Sequence, residues 1–122
     1  MTAGDHGMTL DTLPETLPIF PLAGVLLLPH GQLPLNIFEP RYLAMVSEAR
    51  RGGRLIGMVQ PIRPDEDGGD APAVYPTGCA GRISDFEETD DGRFLITLTG
   101  LCRFDIVEEL PLADGGFRPV RA

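Results

Sequence analysis

The spacing of apolar and polar residues along the chain predicts short strands on either side of one helix. Two apolar runs, residues 17–22 and 33–38, contain proline, and the two prolines of the first run predict an edge or irregular strand. A helical period follows, which Pro40 begins and Gly52-Gly53 ends. The near-continuous apolar run 55–59 predicts a central strand covered on both faces. The apolar face of the helix consists of Tyr42, Met45, Val46 and Ala49.

The second half of the chain is typical of an antiparallel meander. Asp90-Asp91-Gly92 is a hairpin turn signal between two extended segments. Ile83 and Phe86 fall out of phase with a two-residue repeat, which predicts a β-bulge near Ser84-Asp85. The predicted strands cover residues 79–88, 93–99 and 101–108.

These elements predict one domain of the mostly β, α+β class. Residues 1–16 lack periodicity and are interpreted as a flexible lead-in, so the domain covers residues 17–122. Within it, residues 61–73 are rich in proline, glycine and acids, which indicates an exposed loop. Residues 117–122 begin a further extended segment on which the chain stops, so we expect the domain to be truncated at its C-terminal end.

Charge and composition narrow the classes of function. Eighteen acidic residues against ten basic ones give a net charge of -8, which disfavours nucleic acid and anionic membranes as partners. All ten basic residues are arginine, so no lysine can serve a Walker A loop, a Ser-Lys dyad or a Schiff base. The first residues carry no signal peptide pattern and the longest apolar run, 25–28, is too short to span a bilayer. We therefore expect a cytoplasmic protein.

No catalytic, cofactor or metal site is predicted from the reactive side chains. Cys79 and Cys102 are expected to be structural thiols, and with His6 and His30 they lack the close pair spacing of a zinc site. Adjacent carboxylates on a strand point to opposite faces and so do not converge on one substrate atom. The acidic pairs at residues 87–88, 90–91 and 108–109 are therefore interpreted as solvated edges and turns.

Three stretches of sequence carry a family resemblance. They are LPIFPLAGVLLLPHGQLPLNIFEPRYLAMV at 17–46, LIGMVQP at 55–61 and GRISDFEETDDGRFLITLTGLCRFDIVEE at 81–109. In this order they resemble the amino-terminal, substrate-binding domain of Lon ATP-dependent proteases, and most closely the small stand-alone bacterial proteins made of that domain. The resemblance implies a PUA-like pseudo-barrel of about six strands with one short helix. It also implies recognition of unfolded or tagged polypeptides, without the ATPase and Ser-Lys protease parts.

The candidate polypeptide-binding residues lie in a turn and at the start of the helix. If the apolar turn residues are exposed, they form a patch suited to unfolded polypeptide, and the alternative is that they pack into the end of the barrel. An arginine beside an aromatic is common at interfaces, but a structural ion pair between Glu39 and Arg41 is the alternative. The candidates are Leu26, Leu27, Leu28, Arg41 and Tyr42.

The sequence thus predicts a non-catalytic domain that recognises unfolded or partner polypeptides. One alternative is a structural or assembly role, with weak homo-oligomers formed through an apolar edge at residues 17–38. A more distant alternative is RNA binding, which PUA-like folds support but which calls for a basic surface and stacking aromatics.

Overall fold

The computed structural model describes residues 14–62 and 73–122, and shows seven strands and one helix. Most of the predicted loop at residues 61–73 lies outside the described residues, as does most of the lead-in at residues 1–16. The elements are β1 Thr16–Pro21, β2 Gln32–Ile37, α1 Pro40–Arg51, β3 Leu55–Val59, β4 Thr77–Glu88, β5 Phe94–Asp105, β6 Glu108–Glu109 and β7 Arg118–Arg121.

The seven strands form one sheet in the order β2-β5-β4-β3-β1-β7-β6. The mostly β, α+β class is confirmed, with one strand more than expected. Among the described residues the hydrogen-bonded ladder does not close, because β2 pairs only with β5 and β6 only with β7. The sheet is therefore open at both ends.

The first apolar run was predicted to be an edge or irregular strand, and the edge placement is wrong. β1 lies inside the sheet, parallel to β3 and antiparallel to β7. Its two prolines are tolerated because the pairing with β3 begins at Ile19, after Pro18, and ends at Pro21. Of the apolar stretch 17–38, only β2 lies at an open edge, so β1 contributes nothing to the edge proposed for self-association.

One long hairpin, β4 and β5, lies inside the sheet between β2 and β3. β5 is a single strand of 12 residues, so the predicted division into strands 93–99 and 101–108 is wrong. A register shift between Ala80 and Gly81 bends the ladder where the break was expected, and pairing continues on both sides of it. The bulge predicted near Ser84-Asp85 is confirmed by a second register shift between Ile83 and Asp85.

The helix covers one face of the sheet and begins and ends where the sequence predicted. Of its predicted apolar face, Met45, Val46 and Ala49 are buried, while Tyr42 is partly exposed. β3 is buried along its whole length, which confirms the predicted central strand. No helix within residues 14–62 or 73–122 is long and apolar enough to cross a membrane.

Candidate functional site

The segment between β1 and β2 is held firmly against the sheet at both of its ends. Gln60 donates a side-chain hydrogen bond to the carbonyl of Val25 over 3.1 Å. The backbone nitrogen of His30 donates to the carbonyl of Gly100 over 2.9 Å, and Gly100 donates to Gly31 over 2.8 Å. The apolar loop between these ends, residues 25–29, is therefore fixed by β3 on one side and β5 on the other.

Two glycines allow this loop to lie directly on the sheet. A Cβ at Gly100 would stand 2.1 Å from the carbonyl oxygen of Leu28, and one at Gly81 would stand 2.8 Å from Cδ2 of Leu27. Only glycine leaves room for such close approach of backbone to backbone. The Leu27 side chain fills the space above Gly81 and is only 5% exposed.

The side chains on either side of Leu27 point to solvent. Leu26 is 69% exposed and Leu28 is 52% exposed. The sequence left two alternatives for the three leucines, exposed or packed into the fold. The structure shows Leu27 packed into the fold and Leu26 and Leu28 exposed. The buried Leu27 anchors the loop, and its two neighbours form an apolar surface that the anchored backbone holds in place.

A groove of about 210 Å³ lies between this loop and strands β3, β4 and β5. We call it the loop groove. One wall consists of the loop, residues 25–29, and the opposite wall is largely apolar. That wall is formed by Met58, Val59, Gln60, Thr77, Gly78, Cys79 and Arg103.

The loop groove contains one thiol and one charged side chain. Burial raises the pKa of the Cys79 thiol, and the nearby Cys102 adds to the rise, while the charge of Arg103 opposes it. The thiol donates to the carbonyl of Ala80 over 3.6 Å. Cys79 is thus a neutral thiol near neutral pH, and Arg103 supplies the positive charge of the groove.

The groove borders a further exposed aromatic residue. The backbone nitrogen of Tyr75 donates to the carbonyl of Gln60 over 2.9 Å, and Tyr75 itself is half exposed. Tyr75 is therefore an exposed aromatic residue whose backbone is held beside Gln60.

Arg41 and Tyr42 do not line the loop groove. The ring of Tyr42 packs against that of Phe20, with centroids 4.3 Å apart, and burial raises its pKa. Arg41 lies over the Tyr42 ring and pairs with Glu39 over 3.3 Å. The Glu39–Arg41 ion pair of the alternative interpretation is thus present, and the Tyr42 ring packs on Phe20.

The adjacent carboxylates at the other edge of the sheet serve ion pairs. Glu109 of β6 pairs with Arg118 of β7 over 2.6 Å, and Glu108 of β6 pairs with Arg121 of β7. Arg118 is buried although it is charged, so its partner shields a cation inside the fold. Within the described part of the chain, no three His, Cys, Asp or Glu side chains come together as metal ligands would.

Sequence reasoning missed the strand wall of the groove. Met58, Cys79 and Arg103 lie on three different strands and Gln60 directly follows one of them, and only the pairing of those strands brings them together. A partial signal was present at Arg103, a charged residue on the exposed face of a predicted half-buried strand. Which loop would cover that face depends on the fold.

Comparison with known proteins gives a consistent result. Residues 16–121 match the family model described as the ATP-dependent protease La (LON) substrate-binding domain. The chain is similar to Lon protease 2 of Myxococcus xanthus, with 31% identity over 80% of this chain, and to a Lon protease of Desulfosudis oleivorans, with 30% identity over 92%. It spans only 12% and 14% of the lengths of these relatives.

Solved structures agree with the sequence relatives. The crystal structure of a Lon N-terminal domain protein from Xanthomonas campestris matches with a TM-score of 0.66 and 34% identity. The match covers 87% of this chain and 57% of that one. The N-terminal domain of a Mycobacterium avium complex Lon protease also gives a TM-score of 0.66, and at 15% identity it supports the fold alone.

Proposed function

This chain belongs to the family of the ATP-dependent protease La (LON) substrate-binding domain, and from that premise we propose that it binds exposed segments of unfolded or partner polypeptides and catalyses no reaction of its own. The binding surface in this proposal is the loop groove together with Leu26 and Leu28. The match confined to the substrate-binding domain supports binding as the role of the chain.

The observation that carries the proposal is the anchored loop with its two exposed leucines. Exposed apolar side chains lose mobility and hydration when they bind, and a backbone that is already fixed lowers the entropic cost of binding. Leu27, Gln60 and the glycine contact at Gly100 provide that fixed backbone. Folded proteins bury such segments, so the surface favours polypeptide that has lost or never had a fold.

The groove is suited to binding rather than to nucleophilic chemistry. A catalytic thiol is kept reactive by a lowered pKa, usually beside a histidine or a helix N-terminus. Burial instead raises the pKa of Cys79, and no histidine is among the described residues that line the groove. This supports a role for Cys79 as an apolar wall residue.

The experiment that tests the proposal is isothermal titration of the pure protein with a reduced model protein that is alkylated with a neutral reagent and so stays unfolded. The folded, oxidised form of the same protein is the control. We expect micromolar binding of the unfolded form alone. Absence of binding at hundreds of micromolar would overturn the proposal and direct attention to self-assembly, which sedimentation of the protein alone measures.

Variants of the two leucines locate the surface. Burying a half-exposed leucine contributes about 1 to 1.5 kcal/mol, so Leu26→Ser and Leu28→Ser should each weaken binding about five- to tenfold. Leu112→Ser is the matched control, because Leu112 is 54% exposed and does not line the groove. Equal losses from Leu28→Ser and Leu112→Ser would place the binding surface elsewhere.

A further inference from the structure

The loop groove contains one charged side chain, Arg103, for which the described residues supply no carboxylate within ion-pair distance. Among the described residues, five arginines pair with carboxylates and Arg50 lies over the Phe86 ring, 3.7 Å from its centroid. Arg103 has no such partner within residues 14–62 and 73–122, although the protein has a net charge of -8. Arg54 and Arg82 also lack a carboxylate partner among the described residues, and of these three arginines Arg103 lines the loop groove.

The register of the central hairpin fixes where this charge lies. Arg103 is paired with Cys79 across β4 and β5, and both residues line the groove. The next pair along is Thr77 with Asp105, and the Thr77 hydroxyl donates to the Asp105 carboxylate over 2.7 Å. The carboxylate two residues along β5 from Arg103 therefore accepts a hydrogen bond from another residue. The Arg103 charge acts to lower the pKa of the Cys79 thiol, which agrees with a guanidinium that lies close to the groove wall.

The other polar groups of the groove need no charged occupant. The Gln60 amide already donates to the carbonyl of Val25, and the Thr77 hydroxyl donates to Asp105. The remaining lining is apolar side chains and backbone, including Leu26, Leu28 and Met58. An occupant that covers the groove with apolar atoms alone would remove water from the guanidinium without supplying a hydrogen-bond acceptor or a counter-charge, which is unfavourable.

We propose that the loop groove selects polypeptide segments in which an apolar side chain lies next to a carboxylate, with the apolar group against Leu26 and Leu28 and the carboxylate on Arg103. The inference rests on the proposed function and names the class of segment bound. An arginine can hold a carboxylate through two parallel hydrogen bonds, which adds orientation to the contact. The carboxylate is that of an acidic side chain within the segment.

The test uses short fluorescent peptides that differ at one position beside a central leucine. Three peptides with blocked ends carry Glu, Gln or Lys there, and a fourth ends in a free carboxylate at that position. Fluorescence anisotropy gives the dissociation constant of each. We expect the Glu peptide to bind about three- to tenfold more tightly than the Gln peptide, as for a partly exposed charge pair. Tighter binding of the fourth peptide than of the Glu peptide would overturn the assignment to an internal acidic side chain.

Arg103→Gln should reverse the preference. Without the guanidinium, the Glu peptide meets only the acidic field of the protein and should bind more weakly than the Gln peptide. Arg82→Gln is the matched control, because Arg82 is exposed on β4, outside the groove, and has no carboxylate partner among the described residues. Arg82→Gln should keep the preference for the Glu peptide.

The outcomes separate the two proposals. Equal affinities for the Glu and Gln peptides, or tighter binding of the Lys peptide, would overturn the selectivity and leave polypeptide binding intact. A preference for the Glu peptide that survives Arg103→Gln would also overturn it. If no peptide binds and the unfolded model protein does not bind either, the proposed function fails together with this inference.

Discussion

Replacing Gly100 by alanine tests how the loop is held against the sheet. The added Cβ would meet backbone, standing 2.1 Å from the oxygen of Leu28, 2.9 Å from its carbonyl carbon and 3.3 Å from the Cα of Pro29. A flexible side chain could move aside, but this loop backbone can move only by leaving the sheet. The substitution therefore separates residues 25–31 from β5.

The cost follows from the contacts that such a movement breaks. The two backbone hydrogen bonds between Gly100 and residues 30 and 31 contribute about 1 kcal/mol each. Forcing extra volume into a packed site adds about 1 to 3 kcal/mol. We expect Gly100→Ala to lower the free energy of unfolding by about 3 to 5 kcal/mol, which a domain with a stability of about 5 to 15 kcal/mol can survive.

Urea denaturation measures this free energy, and Gly53→Ala is the matched control. A Cβ at Gly53 would meet only the Leu55 side chain, at 3.8 Å, which is an ordinary contact. We expect that variant to stay within about 0.5 kcal/mol of the parent. If Gly100→Ala were no more destabilising than Gly53→Ala, the close approach of the loop to β5 would be wrong. The fixed backbone that supports the proposed binding surface would then be lost too.

Three further predictions concern other parts of the fold. Leu27→Ala should destabilise the protein by about 2 to 5 kcal/mol in urea denaturation, because the side chain is buried; a change below that of an exposed leucine would show that Leu27 does not anchor the loop. Glu109→Gln removes the charge that pairs with the buried Arg118 over 2.6 Å and should cost about 1 to 3 kcal/mol, whereas Glu48→Gln breaks an exposed pair and should cost less than about 0.5 kcal/mol; equal costs would contradict the difference in burial. Since burial raises the pKa of Cys79, its contribution to stability is present below the unfolded thiol pKa of about 8.5 and is lost as the pH rises through the higher folded pKa. The midpoint temperature of thermal unfolding should therefore fall less steeply with rising pH in Cys79→Ala than in the parent, and an unchanged slope would refute this.

Local patterns were enough to predict most of the elements. The helix from Pro40, the buried strand β3 and the bulge near Ser84-Asp85 each follow from a short window of sequence. Proline, glycine and the period of hydrophobic residues determine the structure of the few residues around them, so a single sequence contains that information. The family resemblance added the class of fold and the class of partner.

The errors arose where distant segments meet. The prolines of β1 were interpreted as marks of an edge or irregular strand. An interior strand can hold them because Pro18 precedes the pairing with β3 and lies opposite Pro119 of β7, while Pro21 is the last residue paired with β3. Gly100 was interpreted as a break between strands, whereas it makes room for a loop from far away in the sequence. The candidate site shows the same limit, because the exposure of Leu26 and Leu28 and the position of Arg103 depend on that loop.

The pairing of β1 with β7 has a consequence for the order of folding. Thr16 lies opposite Arg121, so an interior strand at the start of the chain takes its second neighbour from almost the last residues. During synthesis, β1 can meet β3 early through the intervening helix, but the sheet beyond it waits until residues 118–121 are available. Contacts between such distant residues slow folding, because a long loop must close before they form. Until β7 is available, one side of β1 stays unpaired. The incompletely folded domain therefore exposes an apolar strand of the kind that other chains can bind.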